Sequence, residues 1–119
     1  MKILWFSRHN MTPIQYDDLC KIYDCNVEIK QVNRTIKQAY ELMKDMDDCD
    51  AAAVVMPLNL QEQMLSMLDD KPMLISKNHR VMDENGNFKF IHAGWEQIKE
   101  IKIVKEVLSS YELPENVFR

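Results

Sequence analysis

Basic, hydroxyl and amide side chains come directly after apolar runs of this sequence. Ser7, Arg8, His9 and Asn10 follow the apolar residues at 3–6. An arginine guanidinium binds phosphate in a bidentate manner, a lysine ammonium acts as a point charge, and a histidine transfers protons near neutral pH. These residue types suit a small phosphate-containing ligand. We predict Arg8, His9 and Lys77 as catalytic residues, and Ser7, Asn10, Asn59 and Asn78 as ligand-binding residues.

Three of these predicted residues have a structural alternative, which the sequence leaves open. Asn59 is placed to cap the helix that follows it, and Arg8 is equally an exposed charge at a strand end. His9 is either an acid–base residue or a structural histidine. His79 and His92 are interpreted as surface residues of a loop and a strand end.

Several kinds of site are excluded by the composition. Two glycines are too few for a glycine-rich phosphate loop, and Ser7 lies in no Gly-x-Ser-x-Gly motif. The three histidines have no metal-ligand spacing, and the three cysteines are interpreted as reduced thiols. We predict no metal and no cofactor. Cleavage of a phosphodiester would then use the 2'-hydroxyl of the substrate for in-line attack.

The polar residues at 7–10 lie between a predicted strand and a predicted helix. Four apolar residues in a row, at 3–6 after Lys2, are typical of a strand buried on both faces of a sheet. Thr12, Pro13 and Gln15 form a capping box that predicts a helix from 13 to 23. We therefore expect residues 7–10 at the carboxyl end of a central strand, where open α/β sheets bind their ligands.

The remaining elements alternate in type along the chain. A second capping pattern, Asn59 with Glu62, precedes the third helix. Strands are predicted over 27–32, 51–56 and 73–76, and the third helix is predicted over 60–68. The second helix is predicted to begin at Asn33 or Thr35. Its buried stripe would consist of Ile36, Ala39, Tyr40, Met43 and Met46.

In the C-terminal third of the chain, the predicted pattern of elements changes. A loop is predicted over 77–80, followed by a hairpin whose turn is 83–87. Around Trp95 we predict a turn of helix and then a strand, because the apolar spacing there suits both. Residues 109–119 are predicted to be a loose tail.

The alternation of strands and helices predicts an α/β fold. We expect one domain over residues 1–119, a compact Rossmann-like three-layer sandwich with a mostly parallel sheet and a C-terminal β-hairpin. The loops over 7–11, 56–59 and 76–80 would then meet at one edge of the sheet.

Charge and hydropathy limit the partners. A net charge of -4 argues against a surface that coats duplex nucleic acid. No apolar run approaches the about 20 residues of a membrane span, and Arg8 and His9 interrupt the first run. We therefore expect a cytoplasmic protein without membrane partners.

The segment over 3–15 resembles the start of the small CARF-like proteins associated with type III CRISPR systems, several of which are ring nucleases that cleave cyclic oligoadenylates. The run into Met56, Pro57, Leu58 and Asn59 resembles a turn of the same family. This resemblance implies a Rossmann-like homodimer that binds a cyclic nucleotide across its two-fold axis, with Ser7, Arg8, His9 and Asn59 in the pocket. The chain also resembles uncharacterised short proteins of bacterial mobile elements.

Three functions follow as alternatives, the third being a Rossmann-like domain that binds an ordinary mononucleotide. In the first, the chain binds a cyclic oligoadenylate or a related nucleotide in antiviral defence or counter-defence, and either cleaves it without metal or only retains it. In the second, it is a non-enzymatic phage or mobile-element protein that binds a host protein.

Overall fold

A computed structural model describes residues 1–113 of the chain. In chain order, its elements are β1 (Lys2–Phe6), α1 (Pro13–Tyr23), β2 (Glu28–Val32), a 3-10 helix (Ala39–Leu42), α2 (Met43–Met46), β3 (Ala51–Val54), α3 (Leu58–Leu68), β4 (Met73–Met82) and β5 (Phe88–Ile98).

The strands form one five-stranded sheet in the order β2-β1-β3-β4-β5. The first four strands pair in parallel, and β5 pairs antiparallel with β4. The sheet is therefore mixed, and the α/β class that the sequence predicts is confirmed. No helix among residues 1–113 has the length and apolar composition that a membrane crossing needs.

The central strand β1 is buried because both of its faces are covered. Leu4 and Phe6 belong to an apolar cluster with α3 and the segment 36–46, whereas Ile3 and Trp5 belong to a second cluster with α1. Successive side chains of a strand point to opposite faces, so the two clusters lie on opposite sides of the sheet. The continuous apolar run is explained by this double burial.

Helix α1 begins as the sequence predicts. The Thr12 Oγ1 atom accepts a hydrogen bond from the Gln15 N–H at 3.2 Å, and Gln15 Oε1 accepts one from the Thr12 N–H at 2.9 Å. Pro13 occupies the first helical position. The capping box therefore fixes the direction in which the chain leaves the turn at 7–10.

The predicted second helix is wrong in extent and in its buried stripe. Residues 33–38 are not helical, and Tyr40 and Met43 are 68% and 54% exposed. The Glu41 carboxylate accepts hydrogen bonds from the N–H groups of Lys37 and Gln38, which starts the helical turn only at Ala39. The tighter 3-10 geometry that follows changes which side chains face the sheet.

The predicted cap of the third helix is also wrong. Helix α3 begins at Leu58 with Pro57 as its N-cap residue, and the Pro57 carbonyl accepts hydrogen bonds from Leu60 and Gln61. Asn59 therefore lies within the first turn of the helix and does not cap it.

The C-terminal region departs most from the prediction. Strand β4 continues through 77–80, where a loop was expected, and β5 passes through Trp95, where a turn of helix was expected. Residues 99–113 have no regular structure, so the prediction of a separate strand after Trp95 is wrong. The part of the chain without regular structure therefore begins earlier than residue 109, where the loose tail is predicted to begin. Residues 114–119 lie outside the described part. The predicted hairpin turn is confirmed, with Asp83 Oδ1 accepting hydrogen bonds from the Asn85 and Asn87 N–H groups.

Strands β4 and β5 extend beyond the rest of the sheet as a two-stranded ribbon. Strand β3 pairs with β4 only at Met73 and Leu74, so the ribbon beyond Ser76 has no third strand. The radius of gyration is 19.3 Å, against about 13–14 Å for a compact domain of this length. The ribbon exposes Phe88 and Phe90, at 50% and 73%.

Candidate functional site

The turn at 7–10 separates two cavities at the carboxyl ends of the parallel strands. The first, which we call the arginine cavity, has a volume of about 390 Å³, and its walls include Phe6, Arg8, Val32 and Ile36. The second, the histidine cavity, has a volume of about 590 Å³ and lies between β1, α1 and the ribbon. Four residues line both cavities: Ser7, His9, Val55 and Met56.

Hydrogen bonds hold the backbone of this turn in place. The Trp5 indole N–H donates to the His9 carbonyl at 2.8 Å, and Gln31 Nε2 donates to the carbonyls of Ser7 and His9 at 3.1 Å each. The Ser7 Oγ atom accepts a hydrogen bond from the His9 N–H at 3.1 Å. Ser7 is 6% exposed, whereas Arg8, His9 and Asn10 are exposed. The turn therefore presents three polar side chains from a fixed backbone.

Arg8 and Arg34 both line the arginine cavity, but their charges are used differently. Arg34 forms an ion pair with Asp45 at 2.7 Å and also donates to the Glu41 carbonyl. The Arg8 guanidinium donates to the Thr35 hydroxyl at 2.8 Å and forms no ion pair within residues 1–113. Within this part of the chain, an anion bound to Arg8 would therefore compete with no carboxylate.

Helix α3 adds a second positive feature to the arginine cavity. Pro57, its N-cap residue, and Leu60 in its first turn line the cavity. Pro57 has no N–H and the Leu60 N–H donates to the Pro57 carbonyl, so the helix contributes the positive end of its dipole here and no free donor. The cavity therefore combines a guanidinium, a helix N-terminus and an apolar wall formed by Phe6, Val32 and Ile36.

The structure brings together five of the seven residues predicted for the site. Ser7 and His9 line both cavities, Arg8 lines the arginine cavity, and Asn10 and Asn78 line the histidine cavity.

Lys77 and Asn59 lie elsewhere. Lys77 lines neither cavity, because it lies on β4 between Ser76 and Asn78 and alternation directs its side chain to the opposite face. Asn59 lines a separate open groove with Gln38 and Gln63. The expected common rim therefore lacks both residues.

Sequence reasoning missed a hydrogen-bonded chain of side chains beside the histidine cavity. His92 Nε2 lies 2.8 Å from Asp18 Oδ2, and His92 Nδ1 lies 3.0 Å from Ser76 Oγ. Gln15 Nε2 donates to the same Ser76 oxygen at 3.1 Å. The side chain of His92 is only 6% exposed, so its prediction as a surface strand-end residue is wrong.

No local pattern predicts this chain of residues. Its members come from α1, β4 and β5, and hydrogen-bonded partners are up to 74 positions apart, as between Asp18 and His92. Ser76 was recognised only as a strand-end residue. Within the described part of the chain, no group of three or more histidine, cysteine, aspartate or glutamate side chains is placed to hold a metal ion.

Comparisons of the chain with protein-family models, with curated proteins and with solved structures found no match.

Proposed function

We propose that this chain binds a small nucleotide in the arginine cavity and that, in line with the family resemblance, the nucleotide is a cyclic oligoadenylate or a related second messenger of antiviral defence or counter-defence. The observation that carries the proposal is the Arg8 guanidinium at this cavity without a carboxylate partner among the described residues. A phosphate would bind Arg8, and the positive end of the α3 dipole would favour its charge. The apolar wall of the cavity suits a nucleobase.

The wider setting of the proposal is a Rossmann-like three-layer fold in a homodimeric, cytoplasmic protein. The four parallel strands and the apolar clusters on both faces support the fold assignment. The free cysteines Cys20, Cys25 and Cys49 are compatible with a reducing compartment. The dimer follows from the resemblance, in which the ligand lies across a two-fold axis.

Cleavage would be a second step at the same site. His9 lies at the boundary of both cavities, where it can exchange a proton with the attacking 2'-hydroxyl or the leaving oxygen. Arg8 would stabilise the charge that develops on the phosphate. The proposal gives no role to Lys77, which lines neither cavity.

The test measures binding and turnover separately. The chain is mixed with cyclic tetra-adenylate or cyclic hexa-adenylate in EDTA, with adenosine monophosphate as the reference ligand. Thermal unfolding and calorimetry report binding, and chromatography reports linear products. We expect a rise in the melting temperature with at least one cyclic ligand.

Arg8→Ala should weaken binding by about 10-fold or more, because hydrogen bonds to charged groups contribute about 1.5–3 kcal/mol. Arg80→Ala is the matched control: Arg80 lies on the ribbon, 3.6 Å above the Phe88 ring, and lines neither cavity. Equal loss in both variants, or no binding by the wild-type chain, would contradict the proposal. Binding without products would identify a sequestering protein.

A second function is favoured by a different observation, the exposed apolar side chains of the ribbon and of the C-terminal segment. Phe90 is 73% exposed, and Val104 and Leu108 are 93% and 89% exposed. Exposed apolar patches mark interaction surfaces. In this alternative the chain is a non-enzymatic protein that binds a host protein. A stoichiometric host partner that is lost with Phe90→Asp and retained with Arg8→Ala would support it over nucleotide binding.

A further inference from the structure

The histidine cavity contains a second set of chemistry-bearing residues that nucleotide binding does not use. We propose that Asp18, His92 and Ser76 form a proton-transfer triad that activates the Ser76 hydroxyl as a nucleophile towards an uncharged carboxylic ester with an apolar acyl group. This activity goes beyond the proposed function and does not depend on it.

The proton positions follow from the hydrogen-bond partners. Asp18 only accepts hydrogen bonds when ionised, so the neutral His92 ring carries its proton on Nε2 and donates it to Asp18 at 2.8 Å. The Nδ1 atom is then an acceptor, and the Ser76 hydroxyl, 3.0 Å away, donates to it. This is the arrangement of a serine nucleophile, its base and the residue that orients the base. The two ring nitrogens are exchanged relative to serine proteases, which leaves the proton transfers unchanged.

Gln15 fixes the orientation of the serine oxygen. Its Oε1 atom is held by the Thr12 N–H in the capping box, so its Nε2 faces Ser76 and donates to Oγ at 3.1 Å. The Trp95 indole donates to the Gln15 carbonyl at 3.0 Å and lies 5.6 Å from the His92 ring, between centroids. The base is therefore packed as well as hydrogen-bonded.

A β-bulge places His92 on the required face of the sheet. The pairing shifts between Lys77 and Asn78, which face Gly94 and His92 respectively, so Ala93 has no partner on β4. Without this extra residue, His92 and Trp95 would point to opposite faces, because they are an odd number of positions apart. Gly94 has a φ of +140°, which residues with a side chain rarely adopt. Bulges of this kind redirect side chains next to functional sites.

The composition of the histidine cavity indicates the substrate class. Ser76 and His92 line it, together with the apolar residues Ile14, Val55 and Phe90, and none of its lining residues is lysine or arginine. Among the described residues, a phosphate ester would find no lysine or arginine there, in contrast to the arginine cavity. An ester with an apolar acyl group fits this lining. The amide side chains of Asn10 and Asn78, which line the same cavity, are the donors available to an oxyanion.

The reaction has two halves. Ser76 Oγ bonds to the carbonyl carbon as its proton passes to His92 Nδ1, with Asp18 stabilising the imidazolium. The ester C–O bond then breaks, and the alcohol leaves with that proton. Water attacks the acyl-serine, gives its proton to His92, and releases the carboxylic acid while the proton returns to Ser76 Oγ.

The experiment is covalent labelling of the full chain with a fluorophosphonate probe, followed by mass spectrometry of the labelled peptide, and hydrolysis of p-nitrophenyl butyrate. We expect an adduct on Ser76 and hydrolysis above the buffer rate. Ser76→Ala should abolish the adduct. His92→Gln and Asp18→Asn should lower the rate of labelling and the rate of ester hydrolysis, and the decrease for His92→Gln should be about 100-fold or more. Ser66→Ala, which alters an exposed serine of α3, is the control.

Circular dichroism checks that each variant is folded. If His92→Gln does not fold, Asp18→Asn serves as the test of the base, because the Asp18 side chain is 32% exposed and its replacement disturbs the core less. A folded wild-type chain that gives no adduct at excess probe, or an adduct on another residue, would overturn the proposal. The loss or presence of nucleotide binding has no bearing on this readout, so the two proposals fail separately.

Discussion

The two cavities lie side by side and share four wall residues, yet they are built in opposite ways. The arginine cavity takes its polar groups from two segments that directly follow neighbouring strands, the turn at 7–10 after β1 and residues 33–35 after β2. The histidine cavity adds to that turn the side chains of Gln15, Ser76 and His92, which come from α1, β4 and β5. Charge also separates them, since arginine lines only the first. One edge of the sheet thus has a cavity lined by arginine beside a cavity whose described lining contains no lysine or arginine.

The largest expected effect is on both cavities together. Trp5 is 3% exposed, packs edge-to-face against Trp95 at 5.9 Å and donates to the His9 carbonyl. Trp5→Ala should lower the free energy of unfolding by about 3–5 kcal/mol, because it leaves a cavity in the core. Urea unfolding measures this loss. Trp5→Phe removes the indole N–H but keeps most of the side-chain volume, so its free energy of unfolding should fall by less than that of Trp5→Ala. An equal decrease in both variants would show that packing of Trp5 does not hold the turn.

The next effect should separate the cavities. At Gly94 an added Cβ meets no atom within 4 Å, so the cost of Gly94→Ala comes from its φ of +140°. We expect a loss of about 1–3 kcal/mol and reduced labelling of Ser76, because the bulge that orients His92 is strained. Gly86→Ala, at a φ of +81° in the hairpin turn, is the control. Gly86→Ala should lower stability and leave the labelling of Ser76 unchanged. If Gly86→Ala reduced the labelling of Ser76 as much as Gly94→Ala, the proposed role of the bulge would be contradicted.

These two variants show how much of the molecule can be read from local sequence. The strand at 2–6, the capping box of α1 and the hairpin turn were predicted because adjacent residues determine each of them. The bulge at Gly94 and the extension of β4 through 77–80 depend on pairing between strands. That pairing also decided that Lys77 lies away from the cavities that Asn78 and His9 line.

A smaller effect should be confined to the arginine cavity. Thr35→Val removes the hydroxyl that accepts the Arg8 hydrogen bond, so the guanidinium loses one constraint on its position. Nucleotide affinity should fall by roughly 2- to 10-fold, the equivalent of about 0.5–1.5 kcal/mol. Calorimetry measures it, and Lys77→Ala is the companion variant, expected to change nothing. A larger loss with Lys77→Ala than with Thr35→Val would restore the catalytic role predicted for Lys77.

The smallest effect concerns the opposite end of the sheet and should leave both cavities unchanged. Asp48 lies between Lys2 and Lys30, at 2.8 and 2.9 Å, and these hydrogen bonds lower the pKa of its carboxyl group well below its usual value. A lowered carboxyl pKa in the folded state stabilises the fold above the unfolded-state pKa. That stabilisation is lost as the pH falls through the folded-state pKa.

Asp48→Asn should therefore lower the melting temperature slightly near pH 7, and the difference from the wild-type chain should shrink under acidic conditions. Thermal unfolding over a pH series measures it. Because the Asp48 side chain is largely exposed, the change in melting temperature should be small and should decrease with salt. A difference that grows as the pH falls would contradict this account of Asp48.

The sequence alone determined the buried strands, the first helix and the position of the turn at 7–10, because hydrophobic runs and capping residues act over a few positions. Tertiary structure decided which side chains share a cavity. The face of a strand on which Ser76, Lys77 and His92 lie depends on register, and one bulged residue changes it. The Asp18–His92–Ser76 chain exists only after β4, β5 and α1 have packed together.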